Sequence, residues 1–265
     1  MNSDPILKMA AIQMEIEWEN KSLNFKKLDS IFANLPERDL ILLPETFATG
    51  FTMKGKSYAE PRGGETETFL QSWARKTGAL VGGGWMEQNG SGNPYNTFSL
   101  YTPDGTVFRY RKIHPFSYAG EDRHFSSGDR IISLDWKGFQ ITPFICYDLR
   151  FPEIFRKTVG KTDLYLVIAN WPSPRIHHWM TLLKARAIEN QAYVLGVNRV
   201  GVAGKIQKLY HNGYSGLFHP FGGDTILQSE REDVLLVTIS GKELKKVREE
   251  FPYLKDIRGT DINFG

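Results

Sequence analysis

Three short runs constrain this chain most: Leu40–Leu43, Phe139–Ile145 and Leu164–Ala169 are almost wholly apolar. Each is four to seven residues long. A helix that short cannot be buried all round, whereas a strand covered on both faces carries this pattern. Two of the runs give way abruptly to proline or polar residues: Pro44-Glu45 and Cys146-Tyr147-Asp148. The pattern predicts buried strands whose ends open onto a polar region.

Helical spacing lies between the strand signals. Asn20–Leu35 places Leu23, Leu28, Ile31 and Phe32 near one face, and Glu65–Thr77 runs into Gly78, suited to a helix C-terminus. His177–Gln191 groups Trp179, Leu182, Leu183 and Ala187. Further strands are predicted at Leu7–Gln13, Ala79–Trp85, Thr97–Tyr101, Val107–Arg111, Tyr193–Asn198 and Val234–Ile239. Pro103-Asp104-Gly105, Lys137-Gly138 and Gly222-Gly223 read as turns, the latter two within hairpins Ile131–Trp136/Phe139–Ile145 and Tyr214–His219/Thr225–Gln228. Ser240-Gly241-Lys242-Glu243 has the spacing of a capping box for a last helix. Gly120–Arg130 reads as a polar loop and the chain after Pro252 as irregular. With no linker-like stretch and no repeat, residues 1–265 are expected to form a single α/β or α+β domain with helices covering sheet faces.

Apolar residues make up 41% and charged residues 24%, enough for a substantial core. The net charge of +3 is scattered, with no Lys/Arg run longer than a pair, so no nucleic-acid footprint is expected. The N-terminus lacks a basic segment followed by a long apolar one, and no apolar stretch is long enough to span a bilayer. No membrane association is expected, and the expected location is cytoplasmic. One cysteine excludes an internal disulfide and a thiolate zinc site, and the six histidines show no metal-ligand spacing. His177 and His178 are adjacent and so face different sides of a helix. No Walker or G-x-G-x-x-G motif is present, so no cofactor or metal is expected.

Cys146 follows a buried strand at a turn, where a thiol is rigidly held and the next backbone N–H, that of Tyr147, can face an oxyanion. An inert buried thiol fits the same local context. Glu45 ends another strand, where desolvation suits a general base; an ordinary loop glutamate is the alternative. Lys112 follows Val107–Arg111 and could stabilise an oxyanion, although most such lysines are solvated. If the three strands are neighbours, Glu, Lys and Cys converge at one edge, and together they supply a base, a cation and a nucleophile without histidine.

The segments Leu42-Leu43-Pro44-Glu45-Thr46-Phe47, Tyr110-Arg111-Lys112-Ile113-His114 and Ile145-Cys146-Tyr147-Asp148-Leu149-Arg150-Phe151-Pro152 resemble, in order and spacing, the three catalytic motifs of the nitrilase superfamily of carbon-nitrogen hydrolases. The resemblance runs from Ala10-Ala11-Ile12-Gln13 to the final strands. It implies a four-layer α-β-β-α sandwich and self-association, with a homodimer expected. It also implies a triad of Glu45 as base, Lys112 as oxyanion stabiliser and Cys146 as nucleophile. Glu121 falls where that family has a second glutamate positioning the lysine; a solvated loop acid is the alternative. Within the superfamily, Asn170-Trp171-Pro172-Ser173-Pro174-Arg175, His178-Trp179, Ala185–Gln191 and Tyr214-Ser215-Gly216 resemble bacterial ω-amidases. The resemblance implies hydrolysis of the ω-amide of 2-oxo acids such as 2-oxoglutaramate and 2-oxosuccinamate. Lys205 and Lys208, in Val202–Leu209, depart from the pattern of that branch at the expected pocket rim.

Such a substrate carries a carboxylate remote from the amide, and Arg175, on the loop past Leu164–Ala169, is the candidate to grip it, unless it is a surface arginine. Trp171 is a candidate substrate wall, though large aromatics mainly fill cores. Arg186 and Glu189, three apart on one helix, are expected to pair and brace the site. A nitrilase or N-carbamoyl-amine hydrolase with the same triad, or a non-catalytic binding protein on this fold, are the rival readings.

Overall fold

The computed structural model describes residues 4–204, 208–227 and 230–258. Lys205 and the end of the expected strand at Gln228 lie outside them. The chain opens with β1 (Ile6–Gln13), α1 (Lys21–Ala33), β2 (Leu40–Leu42), α2 (Gly55–Tyr58), α3 (Glu65–Thr77), β3 (Leu80–Glu87), β4 (Tyr95–Tyr101) and β5 (Val107–Arg111). There follow α4 (Glu121–His124), β6 (Leu134–Trp136), β7 (Phe139–Ile145), α5 (Pro152–Arg156), β8 (Leu164–Ala169), α6 (Ile176–Asn190) and β9 (Tyr193–Asn198). The last part holds β10 (Val200–Ala203), β11 (Leu209–Asn212), β12 (Gly216–Phe218), β13 (Thr225–Ile226), β14 (Asp233–Ser240) and α7 (Gly241–Glu250).

Two six-stranded sheets form, in the orders β14-β1-β2-β3-β4-β5 and β13-β12-β9-β8-β7-β6. The side-chain alternation of β1 shows how they pack. Leu7, Met9 and Ala11 join a core shared with Ile141, Phe144 and Leu166 of the second sheet, while Ala10 and Ile12 pack with Phe25 and Leu28 of α1 and Leu70 and Ala74 of α3. Trp179 and Leu183 of α6 cover the far face of the second sheet at Gly196, whose missing side chain admits them. The layers are therefore α-β-β-α, as the family resemblance implies.

Helix ends follow local rules. Asn20 caps α1 by accepting from the Leu23 N–H, and Gly78 ends α3 at φ 69°, a left-handed conformation glycine adopts without strain. Ser240 caps α7 through the Glu243 N–H at 3.0 Å, but the Glu243 carboxylate accepts from Tyr193 Oη at 3.1 Å, so the cap ties α7 to β9.

Several expectations need correction. Gly120–Arg130 contains α4 rather than loop throughout, because Gly120 at φ 77° turns the chain and lets Phe125 N–H close on Glu121. The strand expected at Tyr214–His219 is cut to three residues, since Tyr214 takes φ 57°. The ribbon β10–β11 gave no signal, its strands being short and interrupted by Gly201. The three functional strands are not neighbours: β2 and β5 lie in one sheet with β3 and β4 between them, and β7 lies in the other.

Candidate active site

Convergence comes from the sandwich rather than from strand adjacency. β2 and β3 are parallel, and β4 is antiparallel to both β3 and β5, so β2 and β5 end at the same edge. β7 and β8 run parallel in the opposite sheet and bring Cys146 and Asn170 to that edge. Glu45, Lys112, Cys146 and Asn170 line one cavity of about 670 Å3.

Glu45 and Lys112 are each 1% exposed and Glu121 0%, so none is a solvated surface charge. The Lys112 ammonium donates to Glu121 Oε2 at 2.8 Å and to Glu45 Oε1 at 3.1 Å. Asn96 Nδ2 makes the same bridge, at 2.7 Å to Glu45 and 3.0 Å to Glu121. The other Glu45 oxygen accepts the Asn170 backbone N–H at 2.8 Å, while Asn170 Nδ2 donates to the Glu45 carbonyl at 2.7 Å. Asn170 thus fastens Glu45 to the second sheet. Glu121 Oε2 also accepts the Phe116 N–H at 2.5 Å, which fixes the loop before α4.

Two carboxylates facing one buried cation set the electrostatics. Burial alone would strip the proton from Lys112, but Glu121 and then Glu45 outweigh it and hold the ammonium above its ordinary value. Burial raises the Glu121 carboxyl, against the pull of Lys112. Burial also pushes the Cys146 thiol well above its ordinary value, Glu45 adds to that, and Lys112 opposes it. Cys146 thus sits in a field where burial and Glu45 favour the protonated thiol and Lys112 alone opposes it.

Cys146 and Thr46, which follows Glu45, take φ of 45° and 43°. Non-glycine residues in this region store strain and persist where their surroundings hold them. Around Cys146 that support is Asp148, fully buried two residues on. It accepts from Tyr110 Oη at 2.8 Å, the His114 N–H at 3.0 Å and the Ile145 N–H at 3.2 Å, and lies 2.9 Å from His114 Nδ1. One carboxylate therefore ties the Cys146 turn to the segment carrying Lys112. Arg186 pairs with Glu189 at 2.8 Å and donates to the Leu149 carbonyl at 2.8 Å, bracing the same turn from α6 as expected.

Tyr147, Trp171 and Arg175 also line the cavity. Trp171 is 2% exposed, so it is both core and wall, and its Nε1 donates to the Arg175 carbonyl at 2.8 Å. Arg175 is half-buried, with its guanidinium 5.5 Å from the Phe116 ring centre. Arg150, four residues past Cys146, also reaches the cavity, its guanidinium 4.8 Å from the Trp171 ring centre. Sequence reasoning also missed Asn96, Asp148 and His211. Asn96 sits inside an ordinary alternating strand with nothing to set it apart, and its role needs two glutamates distant in sequence. Among the described residues, no group of three or more His, Cys, Asp or Glu is placed to hold a metal, and no helix is long and apolar enough to cross a membrane.

Comparison with known proteins agrees with this architecture. The sequence profile of the carbon-nitrogen hydrolase family matches residues 8–249. The chain is 44% identical over 197 residues to the omega-amidase YafV of Yersinia enterocolitica, covering 74% of this chain and 75% of that protein. It is 30% identical to the 2-oxoglutaramate amidase of Bacillus subtilis, over 94% and 97% of the two chains. The crystal structure of XC1258 from Xanthomonas campestris, a CN-hydrolase superfamily protein with an arsenic adduct in its active site, superposes with a TM-score of 0.92 at 33% identity, covering 99% and 100% of the two chains. With the sandwich, the buried acid-lysine cluster and the cysteine turn already in place, these matches show that the chain belongs to the carbon-nitrogen hydrolase family.

Proposed function

We propose that this protein is an ω-amidase, one domain over residues 1–265, that releases ammonia from the ω-amide of small 2-oxo dicarboxylic acid monoamides such as 2-oxoglutaramate and 2-oxosuccinamate. The observation that carries the reading is Cys146 in one cavity with the buried, paired Glu45 and Lys112, its wall carrying half-buried arginines. Likeness to an omega-amidase and a 2-oxoglutaramate amidase supports the choice of substrate.

In this reading Glu45 takes the thiol proton as Sγ attacks the amide carbon. The oxyanion is stabilised by Lys112 and the Tyr147 N–H. Glu45 then protonates the departing ammonia, leaving a thioester, and activates the water that cleaves it. Glu121 and Asn96 hold Lys112 and Glu45 in register. Arg175, with Trp171 beside it, receives the remote carboxylate, which cannot be buried without a partner. Glutamine would bring an ammonium into the same space, where the guanidinium repels it. No cofactor takes part. Work in the cytoplasm as a homodimer belongs to the same proposal.

A turnover screen over 2-oxoglutaramate, glutamine, asparagine, a simple nitrile and an N-carbamoyl amine tests it. The expected result is the highest kcat/KM on the oxo-acid amide. Preference for glutamine, for the nitrile or for the carbamoyl compound would refute the assignment.

A further inference from the structure

The cavity over Cys146 holds about 670 Å3, a volume typical of pockets that enclose drug-sized ligands. A short oxo-acid monoamide fills only a fraction of it. The lining is sorted by chemistry. Glu45, Lys112, Cys146 and Asn170 form one polar cluster, and much of the remaining wall is Trp18, Phe51, Met53, Phe116, Tyr147 and Trp171. Set into that wall are two guanidiniums lying over aromatic rings, Arg150 at 4.8 Å from Trp171 and 6.0 Å from Tyr147, and Arg175 at 5.5 Å from Phe116. Among the described residues neither is ion-paired with a carboxylate, and their mutual repulsion, after burial, helps pull Arg150 below its ordinary pKa. The other acid on the cavity wall, Glu19, is held by Lys54 at 3.1 Å and by Thr52 Oγ1 at 2.8 Å.

A substrate matched to this surface has a primary amide at one end, an apolar middle and an anionic far end. A short polar keto acid leaves the aromatic wall unused, whereas an aromatic ring or a methylene chain gains free energy from every unit of apolar surface it buries there. The carboxylate then lies against guanidiniums on an aromatic, poorly solvated wall, where charge-assisted hydrogen bonds are strong.

We propose that the same site hydrolyses monoamides of longer and aromatic dicarboxylic acids, with 4-carbamoylbenzoate and suberamate as representatives, Arg150 and Arg175 together taking the distant carboxylate. This rests on the ω-amidase reading for the chemistry at Cys146. The amide C–N bond breaks as the S–C bond forms, ammonia leaves, and water supplies the oxygen of the new carboxylate.

The test is a series of steady-state measurements on the full chain with 2-oxoglutaramate, succinamate, suberamate, octanamide, 4-carbamoylbenzoate and benzamide. Expected are a kcat/KM for suberamate at or above that for succinamate, and an advantage of at least about tenfold for each acid over its neutral counterpart, the scale of one good charged contact. In the double variant Arg150→Met/Arg175→Met that acid-over-neutral ratio should collapse toward unity. A fall of more than about 100-fold from succinamate to suberamate would overturn the inference, as would equal rates on 4-carbamoylbenzoate and benzamide. In either case good turnover of 2-oxoglutaramate leaves the ω-amidase reading standing. Hydrolysis of the long acids without 2-oxoglutaramate would support the inference and defeat that reading, and no turnover of any amide defeats both.

Discussion

Cys146 keeps its proton because burial and the neighbouring Glu45 oppose a thiolate more than Lys112 favours one. In the proposed mechanism its attack is therefore coupled to proton transfer, with Glu45 as the acceptor. Cys146→Ala should abolish turnover with little loss of stability, the volume change being small. Intact-mass measurement of the wild type during turnover should show an acyl adduct; an active Cys146→Ala enzyme would end the mechanism. Glu45→Gln and Lys112→Met should each lower kcat by on the order of 10²-fold or more, without adding in the double variant, because the groups act as a unit. Steady-state kinetics on the three variants would decide it, and near-normal kcat in Glu45→Gln would remove the base from its role.

Among the elements, β3 and the turn after β7 hold these groups in place. A Cβ on Gly84 would stand 2.7 Å from both Glu45 Cα and Thr46 N, so the bare backbone of β3 is what lets the Glu45 turn seat itself. A Cβ on Gly82 would instead meet the side chains of Leu100 and Phe98. Both alanine variants should lose about 1–3 kcal/mol by overpacking, measured by denaturant unfolding. Only Gly84→Ala should also lower kcat sharply, and equal kinetic effects would break the argument. Asp148→Asn places an amide N–H against one of the two backbone donors, the His114 N–H on the Lys112 segment or the Ile145 N–H before the Cys146 turn. With the thiol shifted against Lys112, kcat should fall on the order of 10²-fold while KM changes little. A rise in KM with kcat intact would show that Asp148 serves binding instead.

For the molecule as a whole, one buried histidine carries a cost in acid. His211, on the ribbon β10–β11 beside the cavity, is held down to a pKa of about 3 by burial and by the neighbouring Arg199, against an ordinary value of 6.5. Between those values the unfolded chain binds a proton that the folded chain refuses. Stability therefore rises with pH through this window, and falls by about 1.4 kcal/mol per unit as the pH drops below 6.5. His211→Gln should flatten that slope, so the difference in unfolding free energy between pH 8 and pH 5 should shrink by about 2 kcal/mol. Urea titrations at the two pH values measure it, and an unchanged difference would locate the acid sensitivity elsewhere.

What the sequence determined by itself is local. Apolar runs too short for helices specified β2, β7 and β8, and the strand ends at β2 and β7 singled out Glu45 and Cys146. Period and caps placed α1, α3 and α6 within a few residues, because side-chain alternation and helix-end chemistry are encoded in neighbouring positions. Lys112 was legible as a position but not as a buried ammonium, since it is held by Glu121 from α4 and by Glu45, two carboxylates that Asn96 bridges from β4. Asp148 was visible only as part of a motif; its bonds to Tyr110 and His114 exist because β5 and β7, in different sheets, end side by side. The ribbon β10–β11 left no periodic trace, and while Arg175 was legible as a candidate, nothing local placed Arg150 beside it on the aromatic wall. Those features were decided by the packing of one sheet on the other, which sets distances between residues that no local pattern relates.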